Sequence, residues 1–141
     1  MTAVRTSFSK EAQLENPVRG LFPDSHYFVK AEVPFGLKRI DLVFKARRCE
    51  KTVAVELKLN DWKRAVWQAV HNRQIATYSY IALPVNRLRA IDLGLLSSLG
   101  LGLILANLAE AKILLPARQS ECLNRRIARQ IALFVERATD V

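Results

Sequence analysis

RIDLVFKARRCEKTVAVELK, residues 39–58, holds two alternating runs separated by a charged turn. Side chains on a strand switch faces at every residue. Ile40, Leu42 and Phe44 are therefore expected on one face, joined by Val53, Val55 and Leu57. Asp41, Glu56 and Lys58 fall on the other. Arg47, Arg48, Cys49 and Glu50 read as the turn. A hairpin centred between Arg48 and Cys49 pairs positions whose numbers sum to about 97, by simple antiparallel register, which puts Asp41 directly across from Glu56. Like charges in that position repel. A divalent cation with oxygen ligands offsets the repulsion, and Lys58, two residues past Glu56, stands beside it to hold a water or a phosphate oxygen.

Outward from this hairpin, the pattern predicts a first helix over residues 9–22, with Ser9 as cap and Leu14, Val18 and Leu21 on one face. Pro17 implies a late start near Asn16 or a kink. Residues 27–34 read as a strand that turns through Phe35-Gly36-Leu37-Lys38 into the Asp41 strand. Glu32 on that first strand either approaches the cation or pairs with Lys38 or Arg39. After Lys58, Asn60 caps a helix whose inward stripe is Trp62, Val66, Ala69 and Val70. Residues 78–83 form a strand ended by Pro84. The strand–helix–strand order makes it a parallel neighbour of residues 52–58. A helix over residues 86–99, a hairpin over 101–106 and 112–115, and a last helix from Ser120 to about Arg137 complete the chain. That last helix carries an apolar stripe of Leu123, Ile127, Ile131, Phe134 and Val135, with Leu133 exposed.

The chain has 141 residues, half of them hydrophobic, which suits one globular domain over residues 1–141. Lys and Arg number 22 against 13 Asp and Glu, a formal charge of +9, and favour a polyanionic partner. Cys49 and Cys122 lack metal-ligand spacing and read as reduced thiols of a cytoplasmic protein. Residues 93–109 carry no charge, but their glycines, serines and asparagine argue against a membrane span.

Asp41 on one strand, Glu56-Leu57-Lys58 on the next, and a basic helix immediately after resemble the PD-(D/E)XK nuclease superfamily, which includes RecB-like nucleases and small junction resolvases. The likeness extends in outline over residues 11–84. It departs in having Ile40 where the motif name has proline. The resemblance implies an α/β, restriction-endonuclease-like αβββαβ core with a mixed sheet, here followed by an extra helix, a hairpin and a C-terminal helix. It implies metal-dependent phosphodiester hydrolysis, with DNA as substrate and Mg²⁺ or Mn²⁺ as cofactor. Asp41, Glu56 and the Leu57 carbonyl would bind the cation, and Lys58 would orient a water or stabilise developing charge. A first-helix glutamate, Glu11 or Glu15, would assist; Glu15 is placed in the ligand set. Gln68 is the implied polar residue of the following helix, in preference to Gln74, which stands four before Tyr78. Lys63, Arg64, Arg73 and the Arg47-Arg48 turn would hold the nucleic-acid backbone. Small members of the superfamily lead us to expect a homodimer. The alternatives are a silent nucleic-acid-binding protein and a non-nucleolytic interaction subunit on the same fold.

Overall fold

The computed structural model describes residues 8–138. Six strands form one sheet in sequence order: β1 Tyr27–Phe35, β2 Lys38–Ala46, β3 Thr52–Leu57, β4 Tyr78–Pro84, β5 Gly102–Ala106 and β6 Ala111–Leu115. The β1–β2, β2–β3 and β5–β6 pairs are antiparallel, and the β3–β4 and β4–β5 pairs are parallel. The protein is thus α/β with a mixed sheet. A 3-10 turn, Glu11–Leu14, runs into α1, Glu15–Arg19. The longer helices are α2, Trp62–Asn72, and α4, Arg125–Ala138; a 3-10 helix at Val85–Ala90 and the short α3, Leu93–Ser98, lie between them in sequence.

The sheet is covered on both faces. Leu14 and Val18 of the first helical segment pack on Leu42, Phe44, Val55 and Ile104. On the reverse face, Ala65, Val66 and Ala69 of α2 meet Ile81 and Leu83, while Ile131 and Val135 of α4 meet Val43 and Ala54. This double cover explains why all six residues of β3 are buried: a central strand with parallel pairing has no solvent face. Pro17 sits at the third position of α1, where a backbone N–H has no helical partner to lose. Gly102 admits a close approach, since a Cβ there would lie 2.2 Å from the Tyr80 ring.

The β2–β3 register is Leu42↔Val55, Val43↔Ala54, Phe44↔Val53 and Lys45↔Thr52. Alternation misplaces Ile40, however. It packs with Val33, Val43 and Ala54, on the face opposite Leu42. The cause lies next door on β1, where Glu32 takes the left-handed conformation, φ 55°, between the Ala31↔Leu42 and Val33↔Ile40 pairs. Both strands change face there, at a backbone cost of roughly 1–2 kcal/mol.

Three helix expectations are corrected. Residues 86–99 are not one helix: Ile91 is extended, and Asp92 caps a new start by accepting the Leu95 N–H at 3.0 Å. The last helix begins at Arg125 rather than Ser120. Residues before it are tied elsewhere, Ser120 N–H to the Thr77 carbonyl at 2.8 Å and Asn124 N–H to that of Gln74 at 2.7 Å. Phe134 is exposed, and Ala132 takes its place in the buried stripe with Ile131 and Val135. Residues 93–109 divide between α3 and β5, and among the described residues no helix is long and apolar enough to cross a membrane.

Candidate functional site

Continuing the observed ladder by one residue sets Asp41 opposite Glu56, with the Asp41 backbone N–H favouring the charged form of the Glu56 carboxyl. Asp41 Oδ2 accepts the Leu57 N–H at 2.7 Å. Asp41 is therefore tied to the strand of Glu56 by a backbone donor. Glu56 is 2% exposed, and its Oε2 accepts a 3.0 Å hydrogen bond from Asn72 Nδ2 at the end of α2.

Burial of two facing carboxylates penalises their charge. Glu56 is pushed up to about 7, first by desolvation and then by the negative charge of Asp41; the Asn72 amide and Lys58 pull it partly back. Asp41 is also raised, by desolvation, against the Leu57 N–H and Lys58; Glu32 and Glu11 add to the rise. Lys58 extends the parallel ladder through its N–H to the Ala82 carbonyl at 3.1 Å. Its Nζ lies 3.8 Å from Glu11 Oε2.

The first-helix acid beside Lys58 is thus Glu11. Glu15 instead pairs with Arg19 at 3.1 Å, so of the two first-helix glutamates expected to assist, it is Glu11 that stands beside Lys58. The two acids flank the same buried Leu14, and the 3-10 start, which rotates Glu11 relative to an α-helix, leaves no mark in the apolar pattern. Glu32 faces the same charges from the kinked position on β1.

Gln68 lies one turn before Asn72 on the same flank of α2. Its Oε1 is buried and has no hydrogen-bond partner among the described residues. A buried carbonyl oxygen without a donor normally has an unseen partner. Two carboxylates and an amide oxygen are the types of hard donor that Mg²⁺ or Mn²⁺ selects, and Gln68 stands on the same helix as Asn72, which contacts Glu56. No group of three or more His, Cys, Asp or Glu among the described residues forms a ready cage, so water and main-chain or amide oxygens would complete the shell. Asn72 was missed in the sequence. Its signal was there: it follows Gln68 by four on the inward side of an otherwise apolar stripe. Gln74 is exposed beyond the end of α2, and Tyr78 opens β4.

The basic residues divide. Lys63 and Arg64 are exposed at the start of α2, where Asp61, not Asn60, caps the helix by accepting the Arg64 N–H at 3.2 Å. The Asn60 side chain instead accepts from Arg87, which brings a further exposed cation to this end. Arg47 and Arg48 belong elsewhere. They sit at the far end of β2, about 20 Å from Asp41 at ~3.3 Å per residue, and Arg47 donates to the Asp24 carbonyl at 2.6 Å while covering the Phe28 ring at 4.2 Å. Arg73 is also withdrawn: it is half-buried, with its guanidinium carbon 3.0 Å from where a Cβ on Gly100 would stand. A cavity of about 480 Å³ lined by Glu50, Thr52, Thr77, Arg125 and Arg129 lies at the other end of β3 and includes neither Asp41 nor Glu56.

A search against protein-family models finds no match, and no curated protein matches either. The fold does match a solved structure, a protein of unknown function from Silicibacter pomeroyi, with a TM-score of 0.68 at 16% identity, covering 93% of this chain and 89% of that one. At that identity the likeness speaks for the fold alone.

Proposed function

We propose that the protein is a metal-dependent phosphodiesterase of the PD-(D/E)XK type acting on nucleic acid, most simply DNA. The observation that carries this reading is the juxtaposition of Asp41 and Glu56 across the β2–β3 ladder, both held against their preferred ionisation, with Lys58 alongside. A chain that keeps a half-buried carboxylate facing a buried one sustains a repulsion that a proton or a cation relieves. The αβββαβ order through β4 agrees with a restriction-endonuclease-like core.

In this reading, a bound Mg²⁺ or Mn²⁺ supplies Lewis-acid polarisation of the phosphate and an acidified water. Asp41 and Glu56 would hold it, with the Leu57 carbonyl and Gln68 Oε1 as the neutral donors. Asn72 keeps Glu56 oriented and biased toward its charged form. Lys58 stabilises negative charge that grows on the phosphoryl oxygens, an interaction stronger in the transition state than in the ground state. Glu11, beside Lys58, limits where the ammonium can swing. Lys63, Arg64 and Arg87 give the backbone a cationic track at the start of α2.

The test is cleavage of a panel of labelled duplexes, branched DNAs and single strands with Mg²⁺ or Mn²⁺. Asp41→Ala should abolish turnover while the protein remains folded by circular dichroism. Cleavage that survives this change in a contaminant-free preparation, or wild-type protein inert on every substrate with both metals, overturns the proposal.

A further inference from the structure

We infer that the outer face of α2, together with the tip of the β1–β2 hairpin, binds an unpaired nucleic-acid strand, with the Trp67 indole stacking on a base. This rests on the phosphodiesterase reading and names its substrate class.

Trp67 is 73% exposed, unusual for the largest side chain and unneeded for the core, which α2 supplies through Ala65, Val66 and Ala69. Its neighbours on the helix surface are Lys63 and Arg64 one turn before and His71 one turn after. Residues 62–72 contain no acid. An exposed indole beside the cations Lys63 and Arg64, where the neighbouring Asp61 carboxylate is engaged on the Arg64 backbone N–H and no ion pair to either cation is seen among the described residues, complements a polyanion that also offers flat aromatic faces. A single strand is that ligand. Its bases are free to stack, and aromatic side chains use them without reading sequence. A duplex presents phosphates and groove edges but hides its base faces, leaving the indole without a partner.

The indole itself turns away from the acids, and the flank of α2 that carries His71 and Arg64 leads from it toward them. At 100° per residue, Trp67 stands ~140° around the helix from Asn72 and roughly 7 Å along it. A strand lying over α2 would pass Arg64 and His71 before reaching Glu56. His71 packs on Phe35 with ring centroids 6.3 Å apart, which sets the hairpin tip beside the same track. That tip is a two-residue turn with Gly36 at φ 61°, a geometry that glycine allows without strain. It holds Leu37, 108% exposed, ahead of Lys38 and Arg39. An apolar side chain fixed at a rigid basic tip suits contact with an unstacked base, as apolar wedges do elsewhere.

The test reads binding rather than cleavage, so it separates from the parent reading. In an Asp41→Ala background, the affinity of a 20-nucleotide single strand and of the matching blunt duplex would be measured by fluorescence anisotropy, with and without Trp67→Ala. The expected loss on the single strand is roughly 5- to 100-fold, the range for one base–aromatic stack, against less than about twofold on the duplex. Trp67→Phe should recover most of the loss. With Trp62 replaced by Phe, Trp67 becomes the sole indole, and its emission should be quenched by the single strand. Equal losses on both ligands, an unaltered single-strand affinity, or no quenching overturns the inference. So does a wild-type dimer that Trp67→Ala converts to monomer in light scattering, since the face would then belong to a second copy. Absence of metal-dependent cleavage would sink the phosphodiesterase reading and leave these binding outcomes readable.

Discussion

Glu56 concentrates the chemistry of the proposed site in one titration. Its carboxyl is raised from the ordinary 4.5 to about 7 in the folded protein. Between those values the native state holds a proton that the unfolded chain has released, so stability falls as pH rises from about 4.5 to 7 and is level above. Asp41, also raised, acts in the same direction from its own lower starting value. Glu56→Gln keeps the shape and an acceptor for Asn72 but cannot ionise. Without metal it should match wild type near pH 4.5 and exceed it at pH 8 by about 3 kcal/mol, at 1.36 kcal/mol per pKa unit. Urea denaturation at the two pH values measures this, and a wild type equally stable relative to Glu56→Gln at both would refute the raised carboxyl. Asn72→Ala acts oppositely on the charge. It removes the amide that favours carboxylate, so Glu56 should titrate above 7, and the acidic limb of the pH–rate profile should move to higher pH.

At the scale of elements, α2 and the β2–β3 hairpin carry the site, and they differ in how well the sequence reveals them. The hairpin register was legible because alternating apolar residues flank a turn of fixed length, and a one-residue slip would bury the charges on the wrong face. Ile40 was not legible, because the left-handed Glu32 that turns it is a backbone event without a glycine to announce it. The late start of α4 was hidden for a similar reason: hydrogen bonds from residues 120 and 124 to a loop 40 or more positions earlier have no local signature. Charge alone also could not say which arginines share a surface. Their placement predicts a division. Lys63→Ala and Arg64→Ala should each reduce the slope of log K against log salt by about 1, the signature of a lost phosphate contact. Arg47→Ala and Arg48→Ala, at the far end of β2, should leave it unchanged. A slope that falls for the Arg47 and Arg48 changes and holds for the α2 pair would move the nucleic acid to the opposite end of the sheet.

The proposed cation site would couple folding to metal binding across the whole molecule, because the sheet that supplies its core also forces Asp41 and Glu56 together. Glu56 is buried on a strand covered from both sides, so the protein cannot relax the pair by moving one acid into water without disturbing the central ladder. A ligand that binds only the native state stabilises it in proportion to the logarithm of concentration over its dissociation constant. For Mg²⁺ or Mn²⁺ at the proposed site that constant would contain a proton: below about pH 7 the cation would have to displace the proton on Glu56, and above it the carboxyl is already ionised. Two trends in stability should therefore oppose each other. Without metal, the melting temperature declines toward alkaline pH as the pair becomes fully charged. With millimolar Mn²⁺, the gain should be small at pH 5.5 and large at pH 8, because affinity rises by up to about tenfold per pH unit on the acid side of the titration. Asp41→Ala and Glu56→Gln should each lose most of the pH 8 gain, and for Glu56→Gln the residual gain should no longer depend on protonation of residue 56. Thermal melts of the three proteins at both pH values, with and without Mn²⁺, measure all of this without any substrate. A metal gain of the same size in wild type and Asp41→Ala would show that the cation binds elsewhere on the protein, and the facing carboxylates would then need a proton alone to account for them.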